Sequence, residues 1–450
     1  MDNSRGRLVA LCTVQVVDVM GVTVVVSALP RMLGDLGGSA GGAGLLVPVY
    51  AVGFSSLLLL SARLGDRFGP RRVLIAGLVL FAIGSMVAAA APVMALLITG
   101  RAIQGAAAAM TVPNALVLLT RAASTEAAHD RALGAWNACG GLAGAAGLLV
   151  GGLTTSAVSW RAIFWGNLVI AAVLIAVLLR LVERDRANQQ RVALDLRSVV
   201  LQVIAVGAVV AAANTAARDW LVTAVLALAG ALAVGWLVAR ERSTGSPLVP
   251  VKLWRRPFVA GLIGSFGVTA TTSSFVVVGT LYLQEEKGFS PAAAGLMILP
   301  FSVSVVLGAG VAGRLMPRLG PRRMLVTGLL LIGVGAAAMG LWSTTTALLA
   351  GLAAAGLGNG VGAVAAYGLG TAVPVAQQAS AAGLLNTAAQ LGTATMVAIT
   401  VAVAGRGGGL DYLSGWLTVV LTAAAVALPV LAVTAGRTRR FDSPSQVGTG

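Results

Sequence analysis

The chain has 450 residues, of which 58% are hydrophobic and 10% charged, with a mean hydropathy of +0.92 and a formal net charge of +16. A folded soluble protein keeps a large polar shell, and this composition cannot supply one. Soluble enzymes, nucleic-acid binders and disordered proteins are excluded, and a polytopic α-helical membrane protein remains.

Hydropathy marks fourteen apolar segments, at about 8–29, 43–62, 73–91, 95–120, 132–155, 162–181, 198–217, 220–239, 257–283, 291–313, 324–342, 345–372, 378–404 and 412–435. A helix needs roughly 20 apolar residues to cross a bilayer. The first segment follows Arg5 and Arg7, is longer than a signal-peptide core and lacks an A-x-A-like cleavage site, so it is expected to be an uncleaved span. It carries Asp18, the one acidic residue well inside any segment, with Gln15 one turn earlier on the same face.

Residues 63–74 read RLGDRFGPRRVL. Asp66 stands here among Arg67, Arg71 and Arg72, with Gly69 at the turn. A carboxylate beside arginines at helix ends can break and re-form pairs between two domain arrangements, which predicts a gating role. A plain topology anchor needs Arg71 and Arg72 alone. Segment 4 then holds Arg101 and Gln104, followed by Gly105. A charge inside a span costs about 3 kcal/mol on insertion scales and marks function, unless Arg101 snorkels to the interface. Asp18 is its available partner. A carboxyl that meets in turn a dry environment and this guanidinium can load a proton on one side and release it on the other.

Cys12 and Cys139 fall inside segments and His129 in a polar loop, so neither a disulfide framework nor a metal site is expected. Gly134, Gly147, Gly151 and Gly152 in segment 5 have the small-residue spacing that lets helices approach closely. Gln15, Trp136, Asn137, Tyr282 and Tyr367 are the polar or aromatic in-span residues expected to face a substrate cavity.

Residues 314–325, RLMPRLGPRRML, match the earlier motif at eight of twelve positions, at an offset of 251. Pro317 replaces Asp66 in this copy, which predicts an asymmetric gate. The expected organisation is a six-helix bundle over 1–182, linkers and two inserted helices over 183–256, a second six-helix bundle over 257–436 and a tail over 437–450. Parallel six-helix repeats are a transporter architecture, with the substrate between the halves near the midplane.

With the N-terminus inside, 25 of the 31 Lys and Arg fall in cytoplasmic loops and tails, five outside, and Arg101 within a span. Both termini are therefore expected in the cytoplasm of a multi-pass protein of the cell inner membrane. The 29 Arg against 2 Lys point to a GC-rich bacterial genome. No G-x4-G-K-[ST] loop is present, so ATP is not the expected driver.

These motifs together resemble the major facilitator superfamily, and within it the fourteen-span drug:proton antiporters. The 64–72 loop is similar to G-x-L-x-D-R-x-G-R-[KR], and Arg101 to Gly105 is similar to R-x-x-Q-G, associated with proton coupling. Asp18 to Pro30 resembles D-x-T-[IV]-V-N-V-A-L-P, with Gly21 where the family has Asp and Val26 where it has Asn. Segment 5 resembles G-x8-G-x3-G-P-x-x-G-G, with Leu148 in place of the Pro. Trp160 to Asn167 resembles W-R-W-I-F-x-[IL]-N.

The resemblance implies two six-helix bundles plus two linker helices, fourteen transmembrane helices in all. The implied function is proton-coupled efflux of hydrophobic or amphipathic drugs by alternating access. Its partners are a small-molecule substrate, protons and the bilayer. It needs no cofactor beyond the proton gradient and no nucleic acid, and works as a monomer. Asp18, Arg101 and Gln104 carry the coupling in this reading. Proton-coupled uptake or export of one metabolite, and a membrane sensor on a transporter scaffold, stay open as alternatives.

Overall fold

A computed structural model of the chain describes residues 3–37, 40–122, 125–183, 196–215, 219–243, 253–342, 344–373, 375–405 and 410–434. The described residues form thirteen helical elements: α1 (Asn3–Asp35), α2 (Ala40–Phe68), α3 (Pro70–Ala89), α4 (Met94–Arg121), α5 (Glu126–Ala157), α6 (Trp160–Leu181), α7 (Leu196–Thr215), α8 (Trp220–Ser243), α9 (Arg256–Leu281), α10 (Pro291–Leu341), α11 (Thr345–Gly370), α12 (Val375–Ala404) and α13 (Tyr412–Thr434). Among them, nine are long and apolar enough to cross a membrane. A π turn, Tyr282–Glu286, extends α9.

The helix α10 has 51 residues. At about 1.5 Å per residue it would reach far beyond the ~30 Å hydrocarbon layer if straight. It is broken at Gly320, whose φ of 76° and ψ of 151° are not helical, giving arms over 291–319 and 321–341. The loop expected between 313 and 324 is thus compressed into one residue. Gly69 separates α2 from α3 in the same way, with φ 94° and ψ 138°. A side chain at either place would meet the Cβ penalty of a left-handed backbone, and the following Pro70 or Pro321 suits a first helical turn.

The duplication extends to hydrogen bonds. Arg71 Nη2 donates to the Leu179 carbonyl at 3.0 Å, near the end of α6. Its counterpart Arg322 donates from Nη2 to the Leu431 carbonyl at 2.5 Å, near the end of α13. Each arginine supplies a cationic donor to a carbonyl in the last turn of a helix, where positive charge is favourable.

The bundle has a near end, where α1 begins and Gly69 and Gly320 lie, and a far end, where α1 finishes. At the far end Trp160 donates to Asp35 Oδ2 at 2.8 Å, while Arg161 pairs with the same oxygen at 3.9 Å and donates to the Ala91 carbonyl at 3.0 Å. These contacts stitch α1, α3 and α6 together. The two halves also meet here: Gln284 donates to the Ser27 carbonyl at 2.8 Å, and the Ala292 amide donates to Ser156 at 3.2 Å.

The inserted helix α7 wedges between the halves. Val210 packs with Ala51 of α2 and Ala394 of α12, and Gln202 donates to the Ser55 carbonyl at 3.0 Å. The neighbouring α8 turns Trp220, Leu228, Leu232 and Trp236 outward, an apolar rim that fits lipid rather than water.

Candidate functional site

Tight helix crossings place the candidate groups. A Cβ on Gly105 would lie 2.1 Å from the Tyr50 carbonyl oxygen, and one on Gly53 would lie 2.8 Å from the Ala102 carbonyl oxygen. The backbones of α2 and α4 therefore touch, which sets the Tyr50 ring beside Arg101. Gly84 and Gly100 do the same for α3 and α4, each approaching the other's carbonyl to 2.9–3.0 Å from the position of its missing Cβ. That contact brings Ser85 to Gln104.

A continuous polar chain results. The Tyr50 hydroxyl donates to Asp18 Oδ1 in a short hydrogen bond. The Arg101 guanidinium lies over the Tyr50 ring at 4.5 Å from its centroid. Its Nη1 donates to the Gly21 carbonyl at 3.1 Å and to Gln104 Oε1 at 2.8 Å. Gln104 Nε2 donates in turn to Ser85 Oγ at 2.8 Å, and Ser85 to the Phe81 carbonyl at 2.7 Å. Arg101 and Gln104 are fully buried, so Arg101 points inward rather than snorkelling. A small pocket lined by Val14, Val17, Leu78, Phe81, Ala108 and Thr111 opens beside Asp18.

Asp18, Arg101 and Gln104 are thus brought together through Tyr50. Asp18 and Arg101 make no ion pair within 4.0 Å, because the Tyr50 side chain stands between them. Tyr50 was not foreseen. It is one of four tyrosines in the chain and lies within an apolar segment, which is the available signal.

The other residues scatter. Gly147 and Gly151 face α1, where added Cβ atoms would meet Thr23 Oγ1 at 2.0 Å and Ser27 Oγ at 2.2 Å. Gly152 faces the first turn of α10, 2.3 Å from the Pro291 carbonyl oxygen on the same measure. Leu148 keeps α5 unbroken, and its own carbonyl meets Gly295 across the halves. The Gly134 and Asn137 side-chain positions lie outside the described residues.

Gln15 turns toward Gly140 of α5, and its Oε1 is buried without a partner. Trp136 is buried in an apolar cluster with Leu11, Val14 and Leu78. Tyr282 packs at the far end against Tyr412 and Trp416, whereas Tyr367 is 39% exposed near the opposite end of its helix. In the 63–74 loop Asp66, Arg67 and Arg72 are exposed and Arg71 is buried.

The description Major Facilitator Superfamily belongs to the family model that matches residues 11–276 and 258–449. The chain belongs to that superfamily. It is 33% identical over 413 residues to the puromycin resistance protein of Streptomyces alboniger, covering 87% of this chain and 80% of the relative. It is 32% identical over 414 residues to the cephamycin export protein of Amycolatopsis lactamdurans, covering 89% and 85%. A solved peptide transporter superposes with a TM-score of 0.72 at 16% identity, covering 95% of this chain and 94% of its own. A nucleoside transporter gives 0.70 at 13% identity, covering 96% and 100%. The structural likenesses show the fold. This member of the superfamily is a multi-pass membrane transporter and not an enzyme.

Proposed function

We propose that the chain is a proton-driven exporter of hydrophobic or amphipathic compounds, antibiotics among them, working by alternating access. The carrying observation is the buried chain from Asp18 through Tyr50, Arg101 and Gln104 to Ser85. A guanidinium held at zero exposure is costly, and the fold does not require it. At the offset of 251 the second half has Phe301, Leu352, Ala355 and Ala336 where the first has Tyr50, Arg101, Gln104 and Ser85. The resistance and export functions in the relatives' names support the same reading.

The proposed organisation is two six-helix halves, 1–182 and 257–436, the insert 183–256 and the tail 437–450, with fourteen crossings and both termini cytoplasmic. In that orientation the far end, where the halves are hydrogen-bonded, faces outward, and the 63–74 motif with its exposed Asp66 lies on the cytoplasmic side as the gating element. Both halves belong to one chain, so a monomer suffices.

One inward proton at about 100 mV contributes roughly 2.3 kcal/mol, and one pH unit about 1.4 kcal/mol. Together they support a gradient of a neutral compound of about 500-fold at one proton each.

The test is ethidium accumulation by purified protein in liposomes under an imposed pH gradient. Wild type drives it, and Asp18→Asn reduces driven accumulation at least tenfold while ethidium exchange at equal pH persists. Driven accumulation undiminished in Asp18→Asn refutes the coupling site, and wild-type transport indifferent to the gradient refutes proton drive.

A further inference from the structure

We propose that Tyr50 is a latch: its hydroxyl holds the Asp18 carboxyl off Arg101 in this arrangement, and its release lets carboxylate and guanidinium pair. This rests on the reading of Asp18 and Arg101 as the coupling groups.

One side chain holds both charges apart. The hydroxyl engages the carboxyl of α1, while the ring face carries the guanidinium of α4. Arg101 has five N–H donors, and the bonds to Gly21 and Gln104 both use Nη1. Nε and Nη2 are buried without a partner. Nε and Nη2 form the side-on edge of a guanidinium, the edge that takes a carboxylate through two parallel hydrogen bonds. Buried donors without acceptors are costly, so an arrangement that gives this edge a carboxylate is favoured.

Among the described residues, the groups around the guanidinium are the Gly21 carbonyl of α1, Tyr50 of α2 and Gln104 of α4, with Ser85 of α3 behind Gln104. Among the described residues, Asp18 is the carboxylate that interacts with it, alongside Tyr50.

The second half supplies an internal control. Phe301 occupies the place of Tyr50, and a Cβ on Gly356 would lie 2.1 Å from its carbonyl oxygen, the same distance as Gly105 to Tyr50. The crossing packs equally well around a ring without oxygen. The Tyr50 hydroxyl is therefore not a packing requirement, and it occurs in the half that has the arginine.

The test needs no transported compound. Ligand-free protein in lipid nanodiscs is treated with dicyclohexylcarbodiimide, which reacts with accessible protonated carboxyls in apolar surroundings, and labelling of Asp18 is followed by mass spectrometry. A carboxylate engaged by a guanidinium offers the reagent neither a proton nor a free oxygen.

Tyr50→Phe, the substitution the Phe301 crossing already accommodates, should slow labelling about fivefold as Asp18 moves onto Arg101. Adding Arg101→Gln should restore the rate to within about twofold of wild type. A structural disturbance would not be reversed by removing the arginine. Labelling of Tyr50→Phe at the wild-type rate or faster overturns the latch, and so does slow labelling that persists in the double variant. If labelling follows the expected pattern while Asp18→Asn still drives ethidium accumulation, the latch stands and the coupling reading fails. If Asp18→Asn abolishes driven accumulation while Tyr50→Phe labels normally, the latch alone fails.

Discussion

The pseudo-symmetry separates stability from coupling in one experiment. Gly105→Ala and Gly356→Ala introduce the same insult, a Cβ 2.1 Å from a backbone oxygen of the crossing helix, Tyr50 in one half and Phe301 in the other. No rotamer relieves a clash with backbone. To bring each contact to an ordinary separation, the helices must part by roughly 1 Å at the crossing. Overpacking costs about 1–3 kcal/mol, and the helix propensity gained on replacing glycine returns up to about 1 kcal/mol. Each variant should therefore lose about 1 kcal/mol, seen as a fall of a few degrees in the midpoint of thermal unfolding in detergent. The functional consequences should differ. Separating α2 from α4 moves the Tyr50 ring off Arg101, one turn away on the same face, so Gly105→Ala should lose at least tenfold in proton-driven ethidium accumulation. Gly356→Ala parts two apolar surfaces and should retain most of it at a temperature where both are folded. Equal loss of driven transport in the two variants would refute the claim that the crossing matters for the polar chain it positions. An unchanged unfolding midpoint in both would refute the crossing geometry itself.

Three further outcomes follow from other parts of the fold. Arg71→Ala and Arg322→Ala each remove the cationic donor to a helix-end carbonyl, Leu179 or Leu431; each should cost about 1–3 kcal/mol and speed hydrogen exchange in the last turn of α6 or α13 respectively, and unchanged exchange there refutes the capping role. Asp411, outside the spans, accepts from the Ser414 hydroxyl, the Ser414 amide and the Leu413 amide, which hold its carboxyl below the usual value of 3.8. Its contribution is then complete above that value and lost as pH falls through the lower folded one, so Asp411→Ala should unfold earlier than wild type at neutral pH and converge with it once the pH is below the folded value; a gap that persists in acid is the contrary result. Gln202 ties α7 to α2 but Val210 touches both halves, so a disulfide between positions 51 and 210 should leave transport intact and one between 210 and 394 should block it, with the reverse pattern showing that α7 travels with α12.

The helical membrane architecture was legible because a period-free apolar run is a direct physical requirement of the bilayer, independent of neighbours. The repeat was legible for a similar local reason: Gly69 and Gly320 both need a positive φ, and both precede proline. Arg101 announced itself by its cost inside an apolar span. Tyr50 did not, since a tyrosine in such a span reads as packing until its hydroxyl meets a partner, and that partner is 32 residues away on another helix. The crossing that joins them depends on Gly105, whose importance is a missing Cβ. Trp136 and Tyr282 pack against apolar and aromatic neighbours for the converse reason. An aromatic ring suits a cavity wall and a core alike, and the choice was made by Leu11 and Leu78 in one case and by Trp416 and Tyr412 in the other.

The two copies of the repeat share their helix crossings and differ in the polar groups they carry. The spacing glycines are retained at the offset of 251: Gly77 and Gly328, Gly84 and Gly335, Gly100 and Gly351, Gly105 and Gly356. Each pair marks a backbone approach that would not survive a side chain. The polar groups are not retained. Leu352, Ala355 and Ala336 are buried in the apolar core of the second half where Arg101, Gln104 and Ser85 are buried in the first. Phe301 stacks on Phe275 at 6.0 Å where Tyr50 turns its hydroxyl to a carboxyl. The helix crossings are thus independent of the charges they carry, because glycine sets the approach and any side chain of suitable volume fills what remains. A transporter built this way can confine its proton chemistry to one half and keep the other as a rigid apolar counterpart. Pro317, in place of Asp66 in the second motif, belongs to the same asymmetry.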